Sequence, residues 1–400
     1  MEYFKRQIES YIKQENEFYP ALLLTGPRQV GKSTLLLHLR EEDRTYVSLD
    51  DPALRNFATY SPELFFERYT PPILIDEIQY APGLFPYIKV LIDELGRNSL
   101  FWLTGSQIFP LMQGVQESLA GRVRSLQLSG FSHKEFIRED HQVFPRSLES
   151  LLQEKVEAVD IAETLIKGSM PRVILQDGID VQGYYQSYVD TYVSRDVREI
   201  SNVLDTGLFL RFISLLATRT AQELNLASLA RELAVDSSTV RRWLDILLTS
   251  GLLMELPAYS GNLGKRLIKR PKIYFTDTGL LCYLLGITSL EAFSRSPLKG
   301  ALFENWVVSE IDKSHIHNGS KARMYYYRDS NQKEIDLIIE DEGLIYPLEI
   351  KLSAKPSHAE KSFSVLAKLS EQIPYYGIIC PTNSLSPVKE KVWKIPASLI

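Results

Sequence analysis

The feature that most constrains this chain is the octapeptide Gly26-Pro27-Arg28-Gln29-Val30-Gly31-Lys32-Ser33, set between the apolar run 21–24 and the helical run STLLLHLR. It fits GxxxxGK[ST] in the strand–loop–helix setting that pattern requires. The glycines let backbone N–H groups turn inward around a phosphate, the helix start adds partial positive charge, and the Lys32 ammonium reaches the β- and γ-phosphates. Gly26 through Ser33, with Thr34, are therefore the candidate nucleotide-binding residues, and the Ser33 hydroxyl is a candidate ligand of Mg2+. A second apolar run, Ile73-Leu74-Ile75, ends in Asp76-Glu77, 44 residues after Lys32. Asp76 at the end of a central strand can hold Mg2+ through water, and Glu77 can polarise an attacking water.

Such a loop needs a sheet behind it. Apolar runs at 21–24, 45–49, 72–75, 100–104 and 123–128 alternate with amphipathic segments, the pattern of repeated βα units around a mainly parallel sheet. Ser61-Pro62 ahead of ELFFERY reads as an N-cap with proline at the first helical position. The run 100–103 ends in Thr104-Gly105-Ser106, where Thr104 or Ser106 could orient the water or contact the γ-phosphate.

Beyond this α/β unit, residues 131–163 carry four basic against eight acidic residues and read as an acidic helical lid or linker. Tyr184, Tyr188 and Tyr192 share one helix stripe, read as packing. Leu229, Leu233, Val240, Leu244 and Leu247 would close two helices over one core, with a turn at Val235-Asp236 and a cap at Ser237 or Ser238. With the strand pair that follows, this resembles a winged helix-turn-helix. Residues 257–276 hold Lys265, Arg266, Lys269, Arg270 and Lys272 and no acid. Such a wing, with Arg241 and Arg242 on the second helix, can touch nucleic-acid phosphates; it can equally serve as a lid or protein contact.

Near the C-terminus, a helix starting around Gly300 carries Glu304, and strand-like runs lie at 324–328, 335–339 and 345–350. Alternation puts Leu348, Ile350 and Leu352 on one face and Glu349 with Lys351 on the other. Asp336 and Glu349 on adjacent strands can hold a second divalent cation, Mg2+ or Mn2+, with Lys351 positioning water. His315-x-His317 has no third ligand nearby in sequence and reads as a pair of surface histidines.

Composition narrows the partners. The 400 residues, 44% apolar, suffice for two or three domains, and a net charge of -5 gives no global positive field, so any nucleic-acid contact must use a local patch. Cys282 and Cys380 form no CxxC, which fits a reducing cytoplasm. No stretch approaches the ~20 apolar residues of a spanning helix, so no membrane partner is expected.

Taken together, GPRQVGKST, LIDEIQ and LTGS resemble the AAA+/STAND-like branch of P-loop ATPases. The resemblance implies ATP with Mg2+, places Ser106 near a polar sensor, and aligns Ala120-Gly121-Arg122 with a segment whose arginine reaches phosphate. On the residues alone, Arg122 and Arg124 are equally solvated strand flanks. GSMP at 168–171 and Arg195-Asp196 also match family segments, with no chemical role evident. The order Glu304, Asp336, Glu349-x-Lys351 resembles the PD-(D/E)xK nuclease-like fold, and its pairing with the ATPase resembles a widespread prokaryotic family with a C-terminal domain of unknown function. The expected organisation is an ATPase core at 1–130, a helical lid or linker at 131–205, a winged helix at 206–288 and a nuclease-like domain at 289–400. The expected function is Mg-dependent ATP hydrolysis coupled to modules acting on DNA or RNA. The alternative is an ATP-dependent regulator or scaffold whose C-terminal domain is a non-catalytic DNA- or protein-binding adaptor. The resemblance also suggests a homo-oligomer or a protein partner.

Overall fold

The computed structural model describes residues 3–105, 118–139, 142–192, 205–259, 270–329 and 331–400. Ser106, Arg195, Asp196, Lys265, Arg266 and Lys269 lie outside the described residues. The first five apolar runs form β1 (Ala21–Thr25), β2 (Thr45–Ser48), β3 (Ile73–Asp76), β4 (Phe101–Gly105) and β5 (Val123–Gln127). All pair in parallel in the order β2-β3-β4-β1-β5, with helices between them, giving the α/β P-loop fold read from the sequence. β3 starts one residue later than the apolar run because Pro72 has no N–H to give the ladder.

The central strands β1, β3 and β4 are buried at every position, which is why they read as continuous apolar runs. Alternate residues serve two different cores. Ala21, Leu23, Ile75 and Leu103 pack with Phe65 and Phe85 on one face of the sheet. Leu22, Leu24, Leu74 and Trp102 face a larger cluster that continues through Trp243, Trp306 and Leu348 to Ile400. The sheet therefore shares one of its two cores with the rest of the chain.

Short helices follow at His133–Phe136, Leu148–Gln153, Ile161–Lys167, Pro171–Leu175 and Val181–Thr191. Ser169 in the GSMP segment donates from both its N–H and hydroxyl to buried Asp277, at 2.7 and 2.8 Å, and Pro171 opens the next helix. That segment is a buried joint between the short helices and the middle of the chain. Helices Thr206–Ala217, Leu226–Leu233 and Ser237–Thr249 lead into an antiparallel pair, β6 (Leu253–Leu256) and β7 (Lys272–Phe275). The five leucine and valine positions expected to close the helices are buried. The N-cap, however, is Asp236 rather than Ser237 or Ser238, because Ala234 in left-handed conformation ends the preceding helix and leaves the chain extended at Asp236.

The last part packs the long helix Lys299–Ile316 on a mixed sheet of β8 (Met324–Arg328), β9 (Glu334–Asp341), β10 (Leu344–Ile350), β11 (Tyr376–Cys380), β12 (Ser386–Lys389) and β13 (Val392–Pro396). Its order is β12-β13-β11-β10-β9-β8. The segment after β6 extends this sheet, since Ala258 bridges Tyr326 and the Tyr259 N–H donates to the Tyr326 carbonyl at 2.6 Å. His315 and His317 overturn the surface reading: both are buried, His315 against the Phe144 carbonyl at 2.7 Å, because the end of the long helix docks under the residues that follow β5. Among the described residues no helix is long and apolar enough to cross a membrane.

Candidate active site

Parallel strands bring the carboxyl ends of β1, β3 and β4, at Thr25, Asp76 and Gly105, to one edge of the sheet. The phosphate loop leaves β1 there, and its backbone explains both glycines. Gly26 has φ +144°, and a Cβ on it would stand 2.0 Å from the Leu128 carbonyl oxygen, so only glycine lets the loop pass the exit of β5. Gly31, at φ +93°, caps the Lys32–Leu39 helix. The Lys32 ammonium donates to the carbonyls of Gly26 and Pro27 at 3.0 and 2.8 Å, holding its charge at the loop.

Asp76 gathers three hydroxyls. Its Oδ1 accepts from Ser33 Oγ at 2.7 Å and from Thr104, and its Oδ2 accepts from Tyr46 at 3.2 Å. Burial, and then the Asp76 charge, push the Tyr46 phenol up, so it stays a donor. A carboxylate and a hydroxyl brought together beside a phosphate loop are the hard oxygen donors Mg2+ prefers, so the residues present fit that ion. Glu77 sits in the left-handed region at φ +58°, a strained position of the kind stored at functional sites. Its N–H donates to Thr104 Oγ at 3.2 Å, and its carboxylate accepts from the Gln79 side-chain amide.

Facing the loop is a cavity of about 710 Å³. Arg28, Gln29, Lys32, Ser33, Thr34 and Glu77 supply its polar side; Tyr3, Phe4, Phe131, Leu175, Tyr188 and Tyr192 supply aromatic and apolar walls. Its size and mixed lining suit a small organic phosphate. The tyrosine stripe thus does more than pack: Tyr184 donates to Gln29 Oε1 at 2.8 Å, while Tyr188 and Tyr192 line the cavity. Arg172, next to the GSMP segment, lines it too. Tyr3, Phe4 and Arg172 escape sequence reasoning because only the chain's path brings them to the loop.

Arg122 is elsewhere. Val123 pairs with Ala21 at the start of β1, whereas the loop begins after Thr25, so Arg122 lies at the opposite edge, ~16 Å away by strand rise. There it forms a two-point ion pair with Asp93 at 2.7 and 3.0 Å. The expected contact with phosphate is not made within the chain. Arg124 instead pairs with Glu15 at 2.8 Å.

The C-terminal carboxylates form a second polar cluster. Lys351 Nζ lies 2.8 Å from Asp336 Oδ2 and 2.6 Å from Glu349 Oε2, so these three converge. Glu304 is held by others: Lys272 Nζ at 3.0 Å and the Tyr274 hydroxyl at 2.7 Å, both from β7. Lys272 also meets Glu334 at 2.6 Å and is 3% exposed, so it is not part of a phosphate-facing wing. Burial first, then the neighbouring Asp336 charge, push Glu304 and Glu349 up to about 7. Among the described residues no group of three or more His, Cys, Asp or Glu is disposed to hold a metal ion, and nothing further supports the expected second Mg2+ or Mn2+ centre; the ammonium groups of Lys272 and Lys351 stand against its carboxylates. Of the residues expected to meet nucleic acid, Arg241 and Arg242 are exposed on the Ser237–Thr249 helix, Arg241 pairing with Asp245 at 3.0 Å, and Arg270 is exposed before β7.

Three family models match the chain in succession: an AAA domain over residues 19–137, a domain of unknown function (DUF8612) over 158–291 and a domain of unknown function (DUF4143) over 299–400. The chain is similar to the uncharacterized proteins Mb2031c of Mycobacterium bovis and Rv2008c of Mycobacterium tuberculosis. Each is 31% identical over 383 residues, covering 95% of this chain and 81% of the relative. The uncharacterized protein MJ1637 of Methanocaldococcus jannaschii is 26% identical over 68% of this chain and 63% of its own. Among solved structures, the Walker-type ATPase PABY2304 of Pyrococcus abyssi aligns with 71% of this chain and 96% of its own, at 16% identity and a TM-score of 0.46. The RuvB Holliday junction branch migration motor of Thermotoga maritima aligns with 66% of this chain and 92% of its own, at 17% identity and a TM-score of 0.28.

Proposed function

The chain belongs to the family of the mycobacterial proteins Mb2031c and Rv2008c and carries a P-loop ATPase domain, and from this premise we propose that it is a Mg-dependent ATP hydrolase acting as a nucleotide-driven switch. The observation that carries the reading is the meeting of Ser33 and Asp76 at 2.7 Å beside the Lys32 ammonium. Lys32 and the loop N–H groups would hold the phosphates, Ser33 and Asp76 would hold Mg2+, and Glu77 would orient the attacking water once released from Gln79. Mg2+, when bound, neutralises charge on the β- and γ-phosphate oxygens. The Tyr3, Phe4 and Tyr188 side of the cavity would take the base.

We assign 1–130 to the ATPase core, 131–205 to a lid, 206–288 to a winged helix and 289–400 to a C-terminal module. The pairing of Glu304 with Lys272 favours the adaptor reading of that module over a nuclease, because a carboxylate neutralised by a buried lysine is a structural bridge. Any nucleic-acid contact would run through Arg241, Arg242 and Arg270.

Phosphate release by the purified chain tests the first claim. Lys32→Ala should abolish ATP binding and Glu77→Gln should retain it while losing turnover; unaltered release from both would sink the hydrolase assignment. For the module, incubation with DNA and RNA plus Mg2+ or Mn2+ should give no cleavage. Cleavage that disappears in Glu349→Gln would restore the nuclease reading.

A further inference from the structure

Arg6 lies upstream of β1 and outside every motif, yet it is 3% exposed and its guanidinium joins three separate parts of the chain. Nη1 donates to the Val30 carbonyl inside the phosphate loop at 3.1 Å. Nη2 donates to the carbonyls of Ser129 and Gly130, just past β5, at 2.9 and 3.2 Å. Nε donates to Glu135 Oε1 at 3.0 Å, and the guanidinium lies over the Phe131 ring, 4.5 Å from its centre. Nη2 also meets His317 Nε2 at 3.4 Å, at the end of the long helix of the C-terminal module. Since a guanidinium only donates, that nitrogen accepts and the ring hydrogen sits on Nδ1, which faces Glu135 Oε2 at 3.2 Å. Glu135 also accepts the N–H groups of Gln7 and Ser132, at 2.8 and 3.0 Å.

Burying a guanidinium is costly unless its donors are met by well-placed acceptors, so this geometry is over-determined and resists small shifts. Moving the Val30 carbonyl requires moving Arg6, and with it Glu135 and His317. From this we infer that Arg6 is a positioning residue of the phosphate loop, and that Arg6, Glu135 and His317 form the joint through which nucleotide occupancy is felt by the C-terminal module. The inference rests on the ATP-binding reading above. Linkage makes the coupling reciprocal: altering the joint from the His317 side changes nucleotide affinity.

The test uses the full chain, a fluorescent ATP analogue for affinity, and amide hydrogen exchange of residues 299–317 with and without ATP and Mg2+. The unaltered chain should show nucleotide-dependent exchange in that helix. Arg6→Lys keeps the charge but not the fork, and should weaken nucleotide binding about tenfold while abolishing the exchange response. His317→Leu removes the acceptor and should abolish the response while the chain still binds nucleotide; His317→Gln, whose amide oxygen can accept from Arg6, should restore it. The histidine pair decides the matter even if Arg6→Lys fails to fold. A wild-type exchange response in His317→Leu, or no response in the unaltered chain despite nucleotide binding, overturns the joint. Absence of any nucleotide binding by the unaltered chain would instead overturn the ATP-binding reading, and the joint with it.

Discussion

At the scale of single residues, Thr104 bears the most on chemistry for its size. Its hydroxyl donates to Asp76 and accepts from the Glu77 N–H, so it ties the Asp76 carboxylate to the backbone that carries Glu77. Thr104→Val should lower kcat at least tenfold with little change in KM, and cost about 1–3 kcal/mol of stability by leaving buried polar groups unmatched. Steady-state kinetics and urea unfolding check this; a rise in KM with kcat unchanged would make Thr104 a binding residue instead. Gly26→Ala should cost roughly 1–3 kcal/mol, because its Cβ would drive into the Leu128 carbonyl, and a chemical melt reads it directly. Lys32, Ser33, Asp76 and Glu77 were legible because their spacing from strand ends dictates where they stand. For Arg122 the sequence allows a phosphate contact and a solvated strand flank alike, and only the register of β5 against β1 puts it at the strand end away from the loop.

At the scale of elements, β7 and β10 show how a strand pattern can hide its partners. Alternation put Glu349 and Lys351 on one side, and their 2.6 Å contact agrees, but it could not say that β7 would bring Lys272 and Tyr274 to Glu304. The cluster predicts a pH dependence. Glu304 and Glu349 lose their protons only near pH 7 in the fold, pushed up by burial and then by Asp336, against about 4.5 when unfolded. Between those values the unfolded chain binds fewer protons than the folded one, so these groups make stability fall as pH rises, with no further change above about 7. Thermal melts from pH 5 to 8 should therefore decline less steeply in Glu349→Gln than in the unaltered chain. Parallel curves would show that Glu349 ionises normally in place.

At the scale of the whole molecule, the cluster running from Leu22 in the phosphate-loop sheet to Ile400 makes the modules one packed body on that side. Lys313 donates to the Phe131 carbonyl at 3.1 Å, and Arg146 to that of Leu399 at 2.6 Å, adding polar ties across the same boundary. ATP with Mg2+ at a hundred times its Kd should add about 2.7 kcal/mol to the stability of the chain as a unit. Far-UV circular dichroism and tryptophan fluorescence should then report one coincident, shifted transition; a second, unshifted transition would mean that the C-terminal module unfolds independently. The amino-acid sequence by itself determined the phosphate loop, the parallel sheet behind it and the carboxylates at its edge, because each follows from contacts within a few residues or from the repeat of strand and helix. Only the tertiary structure decided that Arg6 grips Val30, that His317 is buried beside it and that Lys272 answers Glu304, because those pairs are far apart in the chain and meet through packing that no local pattern encodes.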